Sequence, residues 1–377
     1  MQEISSKERV EKRKHDFYAN LLPKIKERQE RIKHSILDKT SNVLVMPGQS
    51  GLKLGPVFGK FDPQKEYKKT YKEIVEDLVL GLNPYKITIE KPNVKTQDIQ
   101  ELSLTKNDVE LDVSFDAIHY NFEPDSILQP IGFKAKIKDL HLIGNPKIPW
   151  QVDQVLQENQ KAIESIYILG EYGFDNYYLT KIFSAGNLGL DKKFVTTRQS
   201  ITAIDDTLAK KLLIDIREFE HIDSYYVFEN EFLHNRFVIV LAKGNWEYEQ
   251  FELWPSQSEW GKFGYNHEYE GFLGRTNYAE LQAGGYYAAR LPIIEYLHRN
   301  KKQARVLVIR EIYDDYSIPI GVWQVRENVR SAMTKQSKIF NSKVEVLTYI
   351  EKHLKYNLKK YIDASFLFKQ NRLNDFF

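Results

Sequence analysis

The chain contains no cysteine among its 377 residues. That excludes disulfides, thiolate nucleophiles and cysteine-based zinc sites. Methionine is scarce, at three residues, and few oxidisable side chains beside a charged content of 28% fit a thermophile. No run of 18 apolar residues occurs, so no membrane span is expected. The N-terminal stretch is charged and lacks the apolar core of a signal peptide, so a cytoplasmic protein is expected. Phosphate and metal signatures are missing as well. The segment containing Gly48, Gly51, Gly55 and Gly59 matches neither G-x-x-x-x-G-K-[ST] nor G-x-G-x-x-G, and H-E-x-x-H is absent.

What is present is an ordinary globular composition, 42% hydrophobic, long enough for two or three domains. The net charge of +2 is unevenly spread. Residues 7–39 carry 11 Lys/Arg against 6 Asp/Glu, and residues 326–360 carry 9 against 3. Two basic ends on an acidic middle favour contact with a polyanion. Periodicity predicts an α+β fold, with a central mixed or antiparallel sheet, surrounding helices, and helical N- and C-terminal segments. Four segments are expected: a basic helical stretch at 1–40 broken at Leu22–Pro23, an α+β domain at 41–150, an α+β core domain at 151–361, and a tail at 362–377. A helix over 342–361 would line up Lys352, Lys355 and Lys359 as one basic stripe.

The tail carries the sharpest signal. Gln370, Leu373, Phe376 and Phe377 fit Q-x-x-[aliphatic]-x-x-aromatic-aromatic, the pattern that docks on sliding clamps such as PCNA. Residues 370, 373 and 376 repeat every three, the period of a 3₁₀ turn, which sets Leu373 and Phe376 side by side with Phe377 adjacent. Aromatic anchors of this kind dominate binding energies.

Carboxylates and arginines form a second candidate group. Asp205 and Asp206 are expected in the first turn of a helix from Thr202, Glu229 and Glu231 near a strand end, and Glu311, Asp314 and Asp315 after a buried strand. Such groups can converge on Mg²⁺ or Mn²⁺ and support phosphodiester cleavage; the metal is not specified by any spacing. Arg198, Arg236, Arg275, Arg290, Arg310, Arg326 and Arg330 are candidates for phosphates, where a planar fork pairs bidentately. His234 and Tyr286 could assist proton transfer. Ion-pair networks and core packing account for the same residues equally well.

Four stretches carry a resemblance: Phe194–Asp206 (FVTTRQSITAIDD), Glu229–Phe237 (ENEFLHNRF), Gly284–Leu291 (GGYYAARL) and Gly321–Arg330 (GVWQVRENVR). On these the chain resembles the archaeal Nre family of DNA repair proteins, of the NreA type, from about residue 41 to 333, with the terminal clamp motif belonging to it. The resemblance implies repair of DNA damage in partnership with PCNA. It does not imply a settled chemistry. Members often carry an N-terminal cysteine cluster, absent here, so no zinc is expected. A position commonly tryptophan is Gln199 in this chain. Two mechanisms follow: an enzyme working on damaged DNA through the acidic and arginine residues, by metal-dependent nuclease-like or nucleotide chemistry, or a non-catalytic DNA-binding adaptor tethered to PCNA. A nucleotide-binding or base-modifying enzyme built on the Gly284–Leu291 helix is a third.

Overall fold

A computed structural model describes residues 6–88, 91–116, 118–120, 131–254 and 264–369. Helices and mixed sheets give the expected α+β fold with helical ends. Instead of one central sheet, the described residues build two six-stranded sheets and a two-stranded ribbon. They group into two compact units that divide at Leu208/Ala209, inside a helix, rather than at the compositional shift near residue 150. The N-terminal helix α1 (Ser6–Arg31) also runs from one unit to the other at His15/Asp16. It continues through Pro23. Leu21 and Ile25, one turn apart on one face, are buried at 1% and 4% exposure, and that packing outweighs the lost backbone bond.

The first unit contains β1 (Ser35–Thr40), β2 (Val43–Gly48), β3 (Gly51–Pro56), α2 (Tyr71–Leu80), β4 (Leu82–Thr88), α3 (Gln97–Leu104), β5 (Val109–Phe115), β6 (Phe133–Ile143), α4 (Trp150–Gln157), α5 (Ala162–Glu171), α6 (Asn176–Ser184) and the first part of α7 (Thr197–Ile216). Its sheet order is β1-β5-β6-β4-β3-β2, with only β4 and β6 parallel. The glycine-rich segment is the β2–β3 hairpin. Helix α2 starts at a capping box between Thr70 and Glu73 and buries Ile74, Val75, Leu78 and Val79. The helices after Trp150 belong to this unit because Val152, Val155, Ile166, Leu169, Leu179 and Ile182 share one core with Leu104 of α3.

The second unit contains β7 (Glu220–His221), β8 (Tyr225–Phe232), β9 (Asn235–Ala242), β10 (Glu247–Leu253), β11 (Asn266–Glu270), α8 (Gly284–Arg299), β12 (Lys302–Gln303), β13 (Arg305–Ile312), α9 (Trp323–Thr334), β14 (Lys338–Phe340), α10 (Lys343–Glu351), α11 (Lys359–Ile362) and α12 (Phe366–Lys369). The sheet order is β11-β10-β13-β9-β8-β14, and β10 runs parallel to β13. Val238, Val240, Phe251, Leu307 and Ile309 on one face pack against Val346, Ile350, Leu358, Tyr361, Leu367 and Phe368. On the other face Phe228 and Tyr248 meet Tyr296 and Tyr286 of α8.

The expected helix over 342–361 is broken. Helix α10 ends at Glu351, and Lys355 and Tyr356 turn their N–H groups onto the carboxylate of Glu311, at 2.8 and 3.0 Å. The Tyr361 hydroxyl donates to the same carboxylate at 2.9 Å. Glu311 is fully buried on β13, so these donors replace the water it has lost. Farther on, Glu249 of β10, also fully buried, accepts from Ser365 Oγ and the Phe366 and Leu367 N–H groups at 2.6, 2.6 and 3.3 Å. Lys352, Lys355 and Lys359 are exposed but do not form a stripe on one helix.

The first unit's sheet is tightest at Gly55, where a Cβ would sit 1.7 Å from the backbone oxygen of Pro84 on the neighbouring strand. Gly55→Ala is expected to destabilise the fold by about 3 kcal/mol, read as a lowered midpoint in denaturant unfolding; an unchanged midpoint would contradict this packing.

Candidate functional site

The fully buried β10 carries Glu247, Glu249 and Glu252 among its seven residues. Its alternate positions Tyr248, Gln250 and Glu252 enter a polar network on the α8 side. Glu252 accepts from Arg310 Nη1 at 2.7 Å and from Gln250 Nε2 at 3.4 Å. Arg310 spends its other donors on Asn235 Oδ1, at 3.0 and 2.7 Å, and Gln324 reaches the same oxygen at 3.3 Å. The network continues from Asn328 Nδ2 to the Asn235 carbonyl at 2.9 Å, and from Asn230 Nδ2 to Asn328 Oδ1 at 2.6 Å. A second buried pair joins Arg290 to Glu270 at 2.6 Å, with Trp246 Nε1 on the other Glu270 oxygen at 3.0 Å. Arg290 lies over the rings of Tyr286 and Tyr287. Burial raises the phenol pKa of Tyr248 and Tyr286 well above the ordinary value, so both stay neutral.

Backbone strain collects at the same place. Leu233 and His234 form the β8–β9 turn with φ of 51° and 60°, a conformation that normally takes Asn-Gly. The Tyr313 N–H holds the His234 carbonyl at 3.0 Å, and Asn235 Nδ2 holds that of Leu233 at 2.8 Å. Ala283, ahead of α8, has φ 46°. Two residues on, a Cβ at Gly285 would meet Glu252 Oε1 at 2.8 Å, so only glycine lets α8 approach that carboxylate so closely. Three of the four stretches that carry the resemblance, 229–237, 284–291 and 321–330, therefore meet in this network.

The candidates from sequence fall in several places. Asp205 and Asp206 lie in the first unit, mid-helix rather than in a first turn, because α7 starts at Thr197. Asp205 is buried and accepts from Asn176 Nδ2 at 3.2 Å; Asp206 is half-buried. Arg198 and Gln199 are exposed in the first turn of α7. In the second unit Glu229 and Glu231 lie on β8 and both pair with Arg236, at 2.6 and 3.5 Å. Arg290 and Arg326 are buried at 1% exposure, and Arg330 holds Glu295 and Glu327 at 2.9 and 3.1 Å. Arg275 pairs with Glu268 at 2.9 Å. Asp314 and Asp315 pair with Arg9 and Arg13 of α1 at 3.3 and 2.8 Å. Among the described residues no group of three or more His, Asp or Glu side chains is placed to hold a metal ion. Gln370, Leu373, Phe376 and Phe377 lie outside the described residues.

Sequence reasoning missed Glu249, Glu252, Glu270, Asn235, Gln324 and Asn328. The alternation of aromatic and acidic residues in β10 is that of a half-exposed strand and carries no sign that its acids are buried. The available signal was Arg310 following the apolar run Val306–Ile309, since a buried arginine requires a buried acid. Arg310→Met, which leaves Glu252 buried without its cation, is expected to remove about 3–5 kcal/mol of stability. Removing the exposed Glu231 with Glu231→Gln should remove less than about 1 kcal/mol. Chemical denaturation of the two variants checks this, and equal losses would contradict it.

Two family profiles match the chain: one described as Archaeal Nre, N-terminal, over residues 44–261, and one described as Archaeal Nre, C-terminal, over 270–376. The chain is 37% identical to the DNA repair protein NreB of Archaeoglobus fulgidus over 281 residues, 73% of this chain and 71% of that one. It is 37% identical to the DNA repair protein NreA of the same organism over 67% of this chain and 65% of that one. For the DNA repair protein NreA of Haloferax volcanii the values are 36%, 62% and 58%. No solved structure is significantly similar. With its N-terminal profile covering more than half of its length, the chain belongs to the archaeal Nre family.

Proposed function

We propose that this chain is a DNA repair protein held at its substrate by the PCNA sliding clamp. The repair role rests on its relatives, the DNA repair proteins NreA and NreB. The clamp role rests on one observation above others. The chain is anchored to the second unit as far as α12, and the four clamp-type residues Gln370, Leu373, Phe376 and Phe377 begin directly after it. DNA contact is assigned to exposed cations, Lys352, Lys355 and Lys359 in the segment that follows α10 and Arg198 in the first unit. Arg236, Arg290 and Arg330 already hold carboxylates of their own chain, and Arg326 is buried, which favours scaffold roles for all four.

This arrangement supports the tethered adaptor best. The enzyme reading keeps one specific support, the strained Leu233–His234 turn and Ala283 beside a buried acid–arginine network, since strain gathers at active sites. Asp205, Asp206, Glu229 and Glu231 remain its candidate acids, and Mg²⁺ or Mn²⁺ would then be held partly by phosphates of the DNA.

Phe376→Ala with Phe377→Ala is expected to abolish PCNA binding in titration calorimetry while leaving the circular dichroism spectrum unchanged; unaltered affinity would refute the clamp assignment. Alanine at Lys352, Lys355 and Lys359 together should weaken binding to every DNA sequence alike. It should also flatten the plot of log affinity against log salt by about three. An unchanged slope would place DNA elsewhere on the protein.

A further inference from the structure

The last described residues do not hang from the fold. Glu249 grips Ser365, Phe366 and Leu367, and the same carboxylate accepts from His267 Nε2 at 2.8 Å. Leu367 and Phe368 are buried at 4% in the core beneath. Between them and the sheet edge stands Phe366, 56% exposed, its ring 5.5 Å from His267 and 5.0 Å from Tyr269. His267 and Tyr269 belong to β11, the edge strand of this sheet.

The distance onward is short. Four residues of extended chain span at most about 14 Å, so Leu373 cannot stray farther than that from Lys369. A partner that seats Leu373 in a pocket is thereby held within about 14 Å of Lys369, near enough to reach the exposed Phe366 of α12. Resting on the clamp reading above, we infer that the second unit holds the clamp in one fixed orientation, with Phe366 as an additional contact on the clamp surface. The chain then works as a rigid bracket, not as a cargo on a loose string. Glu249 acts here as a positioning residue, because it sets where the segment leaves the fold.

The test uses the whole protein and PCNA. The chain lacks cysteine, so Asp363→Cys, at an exposed position beside the anchor, accepts a single spin label. A second label sits on PCNA. The expected result is narrow label-to-label distances in the otherwise unaltered protein. Inserting a 20-residue Gly/Ser segment between Lys369 and Gln370, with an r.m.s. span of about 25 Å, should broaden them without abolishing binding. Phe366→Ser should weaken PCNA binding about tenfold with the short connection and less than about twofold with the insertion. Broad distances with the short connection, or an equal effect of Phe366→Ser in both proteins, would overturn the bracket while leaving the clamp reading intact. Failure of the unaltered protein to bind PCNA would overturn both.

Discussion

Two buried carboxylates on neighbouring strands, Glu311 and Glu249, determine how the second unit ends. A carboxylate in a dry core must find donors or give up its charge. Glu311 meets backbone N–H groups and one tyrosine hydroxyl, and Glu249 adds a serine and a histidine. The donors come from a segment that breaks its own helix to supply them. Sheet and strap are therefore mutually dependent: without the strap two acids are stranded, and without the acids several backbone donors are. Because Glu311 and Glu249 lie on the same face, the strap formed by residues 352–369 meets both strands in turn.

The opposite face solves the same problem differently. There Glu252 and Glu270 are matched by arginines, and Asn235 accepts from Arg310, Gln324 and Asn328. Three of the four stretches that carry the resemblance meet in this network, together with two backbone positions that non-glycine residues rarely adopt. Its paired carboxylates stabilise that face of the sheet without a share from the C-terminal residues.

Much of this was legible in sequence, and the remainder was hidden for identifiable reasons. The stripe of α2, the apolar strands β9 and β13 and the hairpin around residues 225–241 follow from local pattern. The clamp-type residues are also purely local. Strand β10 misleads because a parallel neighbour and helices on both faces bury positions that alternation assigns to solvent. The break after Glu351 depends on Glu311, which lies 44 residues before its partner Lys355, and no local propensity encodes it. Pro23 sits inside a helix because tertiary packing at Leu21 and Ile25 decides the matter. The start of α7 at Thr197 moved Asp205 and Asp206 out of the first turn, which removes the helix-dipole argument for that pair.

The central claim is that the segment before Gln370 is a fixed mount. Amide hydrogen exchange of the free protein tests it most directly. The amides of Lys355, Tyr356, Phe366 and Leu367 should exchange as slowly as those of β13, because they share its cooperative unfolding. Exchange within seconds at these four positions, beside a protected β13, would show a frayed end and contradict the account.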